Sequence, residues 1–215
     1  MQLKNYYWYF ESAVPARICD HIVKLGKASH SKRATIGNTK QRDLKNNPFT
    51  KKEIKNLQKK RDSDIVWFTE KWIYNEITPY IHAANKNAGW NFEWSALEAT
   101  QFTEYKKGQH YGWHCDAWSE PYKNANPLQN GKIRKLSMTL LLSPKRSFKG
   151  GDLEFDFRDI DPDKVSMKKS RRTCTEIGNK GSLVVFPSFL WHRVKPVMKG
   201  TRHSLVVWCI GAPFK

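Results

Sequence analysis

The chain has 215 residues, 39% hydrophobic and 13% aromatic, and carries a net charge of +18 from 38 Lys and Arg against 20 Asp and Glu. That length suits one domain, 1–215, with a substantial core, and nine tryptophans exclude a disordered polymer. No run reaches the roughly 18 apolar residues of a membrane span, and MQLKNYYWYFESAVP lacks signal-peptide design, so a cytoplasmic protein with no membrane partner is expected.

In VPARICDHIVKLGKA (14–28) Pro15 suits a first helical turn, and Ile18, Ile22 and Leu25 recur at helical spacing. Residues 31–62 are polar and basic, which predicts a long loop or lid with a short helix near 50–60. From Asp64, IVWFTEKWIYNEITPYI places Ile65, Phe68, Trp72, Ile73, Ile77 and Tyr80 at mostly helical spacing, predicting a long amphipathic helix. After Trp90 the period changes to two. LEATQFTEY (97–105), IRKLSMTLLL (133–142), GDLEFDF (151–157), GSLVVFP (181–187) and RHSLVVWCI (202–210) read as successive strands. The segment 158–180 between two of them reads as a long polar insertion. Helical support over 1–90 followed by strands over 91–215 predicts an α+β fold, a barrel or jelly roll buttressed by helices.

Cys19, Cys115, Cys174 and Cys209 show no CxxC spacing, so reduced thiols are expected. The charge is concentrated in KKEIKNLQKKR (51–61) and KVSMKKSRR (164–172). Such runs attract nucleic acid or an acidic protein surface, or simply keep the protein soluble.

Three scattered residues carry the chemistry: His114 and Asp116 in YKKGQHYGWHCDAW, and His192 in FPSFLWHRV. In an extended segment residues i and i+2 share a face, so His114 and Asp116 can converge on one ion while Cys115 points away. Two imidazoles and a carboxylate form the facial triad that holds Fe(II) and leaves positions open for a cosubstrate and O2. Zinc could take the same ligands. Arg202, ten residues after His192, shares its side of a strand with Ser204, Val206 and Trp208. Its planar fork, with the Ser204 hydroxyl, suits the distal carboxylate of 2-oxoglutarate. Gln101, Thr103 and Tyr105 project from one strand face, and Tyr105 is the best further contact to the cosubstrate. His110 and His203 read as satisfied or surface histidines. Gly150–Gly151 allow close backbone approach, and Asp152 and Glu154 have no partner for acid–base work.

Tyr105-x-x-Gly108-Gln109-x-Tyr111-x-x-His114-x-Asp116, followed by FKGGDLEF, GSLVVFPSFLWHRVKPV and GTRHSLVVW, resembles the prolyl 4-hydroxylase-like branch of the Fe(II)/2-oxoglutarate dioxygenases. An arginine at 202 and the stretch RDSDIVWF are similar to the PKHD-type hydroxylases of bacteria and phages. The resemblance spans roughly 61–215. It implies a double-stranded β-helix core, Fe(II) on His114, Asp116 and His192, and 2-oxoglutarate on Arg202. It also implies O2 as oxidant, ascorbate as reductant, release of succinate and CO2, and hydroxylation of a prolyl residue in a peptide or protein. Two other readings stay open. One is a basic nucleic-acid-binding protein with a structural metal; the other is a nucleic-acid demethylase of the same iron chemistry, with Trp113 and Trp118 stacking on bases.

Overall fold

The computed structural model describes residues 3–34, 49–117, 120–123 and 126–214. In chain order the elements are β1 (Trp8–Phe10), α1 (Ala16–Ala28), β2 (Lys32–Arg33), α2 (Lys51–Lys60), β3 (Arg61–Asp62), β4 (Asp64–Phe68) and α3 (Lys71–Asn87). Then follow β5 (Ala96–Leu97), β6 (Thr100–Tyr105), β7 (His110–His114), β8 (Ile133–Leu141), β9 (Phe148–Gly150) and β10 (Leu153–Asp156). The chain closes with β11 (Arg171–Thr173), β12 (Leu183–Pro187), β13 (Trp191–Val194), β14 (Val197–Gly200) and β15 (Arg202–Gly211). The major sheet runs β1-β12-β8-β15-β6-β4-β2, with β5 also on β15; the minor sheet runs β11-β10-β13-β7-β3, and β14 pairs with β9. All pairings are antiparallel. This is the α+β jelly roll expected from the strand pattern.

Alternation along β15 explains the layering. Leu205, Val207 and Cys209 point to one face, where they join Leu136, Met138 and Leu140 of β8 in a core completed by Ile22 of α1 and Ile73, Ile77 and Ile81 of α3. The spacing of those three isoleucines, four residues each, makes one buried stripe along α3. Helix α1 lies close to the sheet because Gly26 has no side chain: a Cβ there would sit 2.6 Å from the Phe102 ring. A second apolar cluster, with Leu153, Phe155 and Val194 from the minor sheet and Val184 and Phe186 from the major sheet, fills the space between the sheets. Arg202, Ser204, Val206 and Trp208 face that inner space.

Three expectations change. Residues 64–68 are a strand between β6 and β2, not the start of a helix; α3 begins at Lys71. Ile65, Val66 and Phe68 are all buried, and such a short apolar run satisfies helix and strand patterns alike until its partners decide. The first 90 residues therefore supply strands to both sheets as well as helices. The segment 158–180 is not purely an insertion, since β11 within it pairs with β10. The short helix near 50–60 is present as α2, capped by a reciprocal Thr50–Glu53 box, while most of the anticipated lid (35–48) lies outside the described residues. The four cysteines are free thiols, and among the described residues no helix is long and apolar enough to cross a membrane.

Candidate metal and cosubstrate site

His114 ends β7, and His192 lies opposite it on β13 as its cross-strand partner. A bulge between His192 and Val194 shifts the register beside this pair, a common device for re-aiming a side chain. Asp116 follows the strand, where the backbone N–H groups of Asp116 and Ala117 both donate to the Ser188 carbonyl at 2.9 and 2.8 Å. One ligand atom each from His114, Asp116 and His192 lies within 4.8 Å of the others.

The imidazoles are held for coordination. His114 Nδ1 is 2.8 Å from the Gly112 carbonyl, and His192 Nδ1 is 2.9 Å from the Leu190 carbonyl. A carbonyl only accepts, so each Nδ1 carries the proton and each Nε2 presents its lone pair. Those Nε2 atoms lie 3.7 Å (His114) and 3.4 Å (His192) from the Asp116 carboxylate. Burial would raise the Asp116 pKa, but the two neighbouring imidazoles, His192 foremost, hold it well below the usual carboxylate range. Burial first, and the neighbouring His192 second, push His114 down, so it stays neutral. Ser137 on β8 donates to Asp116 Oδ2 at 2.7 Å and is itself 2.9 Å from the Ser188 hydroxyl. A buried carboxylate between two imidazoles is a donor set that fits a divalent first-row ion such as Fe(II).

The triad closes one end of a cleft of about 420 Å³, open solvent at its mouth included, between the two sheets. Arg202 lines the cleft, buried, with its Nη1 donating to the Ser204 hydroxyl at 3.1 Å and its guanidinium 5.7 Å from the Tyr105 ring. The register Arg202↔Tyr105, Ser204↔Thr103, Val206↔Gln101 puts both predicted rows on the cleft side. Burial lowers the Arg202 pKa and raises that of the Tyr105 phenol, which therefore stays protonated and able to donate. Gly151 (φ +67°) passes beside the Arg202 stem, where a Cβ would come within 2.9 Å of Arg202 Cδ.

Sequence reasoning missed a second buried cation here. Arg61 of β3 is 8% exposed, donates to Gln101 Oε1 at 2.6 Å and to Ser63 Oγ at 3.2 Å, and lies 4.4 Å from the Tyr111 ring centre. Among the described residues neither Arg61 nor Arg202 has a carboxylate partner. Two buried guanidiniums without an ion-pair partner among the described residues, beside a converging metal-ligand set, fit a dianion next to a metal.

The residues set aside behave as expected. His110 is half-buried and bonds the Lys59 carbonyl, and His203 points away from the cleft to Glu104 and Ser143. Glu154 is tied to Arg193 and Lys195. The Cys115 thiol donates to the Phe189 carbonyl, and burial pushes its pKa up to about 12, so it is no thiolate ligand. Trp113 corrects an expectation: it is 2% exposed beneath the Arg171 and Arg193 guanidiniums and cannot stack on a base. Trp118 lies outside the described residues.

Known proteins bear on this geometry. A PKHD-type hydroxylase of Idiomarina loihiensis is 33% identical over 104 residues, 48% of this chain and 38% of that protein. One of Crocosphaera subtropica is 32% identical over 115 residues, 52% of this chain and 42% of that protein. The chain thus matches well under half the length of these curated relatives. A prolyl-4-hydroxylase of Pseudomonas putida superposes with a TM-score of 0.63 at 17% identity, covering 96% of this chain and 93% of that one. A prolyl hydroxylase of Trichoplax adhaerens, solved with a hypoxia inducible factor peptide fragment, gives 0.63 at 15% identity, covering 96% and 84%. At such identities these structures speak for the fold. Residues 100–210, which hold the triad, Arg202 and Tyr105, match the family described as the 2OG-Fe(II) oxygenase superfamily, and the chain belongs to it.

Proposed function

We propose that the chain is an Fe(II)- and 2-oxoglutarate-dependent hydroxylase acting on an unactivated C–H bond, with a prolyl residue in a peptide or protein as its target. The observation that carries this reading is the pairing, across one cleft, of three converging ligand atoms and a buried Arg202 guanidinium with no direct ion pair among the described residues. His114, Asp116 and His192 would hold the metal; Arg202, with Ser204 and the Tyr105 hydroxyl, would take the distal carboxylate of 2-oxoglutarate. Iron held by His114, Asp116 and His192 would supply O2 activation coupled to conversion of 2-oxoglutarate to succinate and CO2, with one oxygen atom going to the target C–H and ascorbate as the reductant that would keep the metal ferrous.

The protein's own part is placement. Arg202 sets the direction of the dicarboxylate, and Leu153, Val194 and Val206 beside it keep the cleft dry, so the charge pair is little screened. Trp208 lines the cleft with a buried Nε1 that has no acceptor, a donor suited to a backbone carbonyl of a bound peptide. The Trichoplax prolyl hydroxylase, solved with a peptide fragment, supports a peptide substrate. Burial of Trp113 removes one of the two rings on which the demethylase reading stood. Free, largely buried thiols fit a reducing cytoplasm.

The test is anaerobic loading with Fe(II) and 2-oxoglutarate, then O2 with proline-containing peptides, following succinate and peptide mass in wild type and His192→Ala. Peptide-dependent succinate with a gain of one oxygen atom, lost in the variant, is expected. Tight metal binding with no 2-oxoglutarate binding would instead favour the structural-metal protein.

Two smaller effects follow. Ser137→Ala removes a hydrogen bond to the buried Asp116 carboxylate; groups that orient metal ligands typically contribute about 10–100-fold in metal affinity. Competition with a chelator should show a loss in that range, and unchanged affinity would show that Ser137 does not position Asp116. Gly151→Ala forces a Cβ into a left-handed residue at about 1–2 kcal/mol and against the Arg202 stem. The expected result is a several-fold rise in KM for 2-oxoglutarate together with a lower Tm.

A further inference from the structure

Helix α2 carries five lysines in ten residues, and Lys51, Lys52, Lys55 and Lys59 are exposed. Lys51, Lys55 and Lys59 stand four residues apart, stacked on one face at steps of about 6 Å. Among the described residues none of these four has an ion-pair partner. This face carries an electrostatic cost that the Thr50–Glu53 box and the last-turn Lys59 and Lys60 only partly offset: like charges at i,i+4 repel, and Lys51 and Lys52 sit in the first turn, at the positive end of the helix dipole. The helix buries no residue that would compensate.

The second basic run, about a hundred residues later, joins it. Lys60 Nζ lies 3.5 Å from Asp163, immediately before that run, which brings the segment 157–170, with Asp159, Asp161 and Asp163 at its start and its lysines after them, against the end of α2. Beyond that contact Lys164, Lys168 and Lys169 are exposed, again without ion pairs among the described residues. The surface borders the cleft, because α2 runs directly into Arg61 and its Lys59 carbonyl bonds His110 on β7. The charges are ammonium groups, compact point charges that suit phosphate without fixing a planar geometry. Trp113, buried beneath Arg171 and Arg193, offers no ring to a base.

We propose that α2 and the segment 157–170 form one binding surface for the phosphate backbone of a nucleic acid, recognised without regard to sequence. The surface lies outside the cleft, so it stands whether or not the hydroxylase reading does. Where both hold, the surface places the enzyme on nucleoprotein, with the cleft beside proteins bound to the same strand.

The probe is a fluorescein-labelled mixed-sequence oligonucleotide, as single-stranded RNA, single-stranded DNA and duplex, followed by anisotropy between 50 and 300 mM salt (about the range over which counterion release is read). Three proteins are compared: wild type, K51A/K52A/K55A/K59A, and a control, K24A/K27A/K71A/K86A. The control removes the same charge from α1 and α3, across the major sheet. Alanine favours helix, so the α2 variant keeps its fold, which circular dichroism and Tm verify. Single strands contribute about −0.7 to the salt slope per phosphate contacted, so loss of four lysines should flatten the slope by about 3 and weaken binding at least tenfold. The control should keep the wild-type slope, and the three oligonucleotide forms show which backbone is held best. Equal losses in both variants would overturn the proposal in favour of diffuse charge. Equal competition by a polyglutamate peptide of matched charge would overturn it in favour of an acidic protein, and absence of salt-dependent binding would overturn it outright.

Discussion

Asp116→Asn is expected to abolish succinate formation and to weaken Fe(II) binding by more than about 100-fold, since residues that merely orient ligands are worth 10–100-fold. The amide keeps the volume and can still accept from Ser137, so the backbone held by Ser188 should not move. It loses the negative charge that the His114 and His192 Nε2 atoms face at 3.7 and 3.4 Å. Without that charge the set is two neutral imidazoles and a neutral oxygen, a poor match for a hard divalent ion. Anaerobic titration with Fe(II), read through the visible charge-transfer band that 2-oxoglutarate gives on binding, separates metal loss from later failure. A variant that bound iron and formed succinate like wild type would remove Asp116 from the site.

Arg202→Ala should raise the KM for 2-oxoglutarate at least about 100-fold. A hydrogen bond to a charged group contributes about 1.5–3 kcal/mol, a planar fork makes two, and each 1.4 kcal/mol is about tenfold. The site also loses one of its two buried guanidiniums, leaving Arg61, whose donors already serve Gln101 and Ser63. Arg202→Lys restores charge without the fork and should recover part of the loss, about tenfold. Fe(II) affinity measured without 2-oxoglutarate should stay at the wild-type value in both, because Arg202 is no part of the converging triad. An unchanged KM in Arg202→Ala would transfer the carboxylate to another residue, with Arg61 as the first to test.

The triad was legible as residue types, but its convergence comes from the pairing of β7 with β13 and from the Ser188 carbonyl that holds the backbone at Asp116 just past the strand end. Arg202 was legible because alternation along β15 carries Arg202, Ser204, Val206 and Trp208 to one side. Tyr105 was legible for the same reason on β6. Arg61 was not, because in KKEIKNLQKKR it is one more cation in a solvated run. Only the pairing of β3 with β7, and the switch of the chain between sheets at Ser63, bury it. Ser137 looked like an ordinary small strand residue, since its contact with Asp116 spans two sheets. The apolar residues of β4 also fit a helical stripe, and the strand that decides otherwise, β6, lies thirty-odd residues away. What local period encodes could be read; what depends on which strands meet could not.

Because β15 gives one face to the helical core and the other to the cosubstrate, it has in effect a reading frame. A single-residue insertion or deletion within it would exchange the faces of Leu205, Val207 and Cys209 and of Ser204, Val206 and Trp208, ruining core and cleft in one event. The strand thus couples folding to competence: a chain that pairs β15 in the wrong frame cannot become a stable but inactive enzyme. Length variation among related chains should accordingly fall outside this strand, in connections such as 157–170, where neither face is fixed.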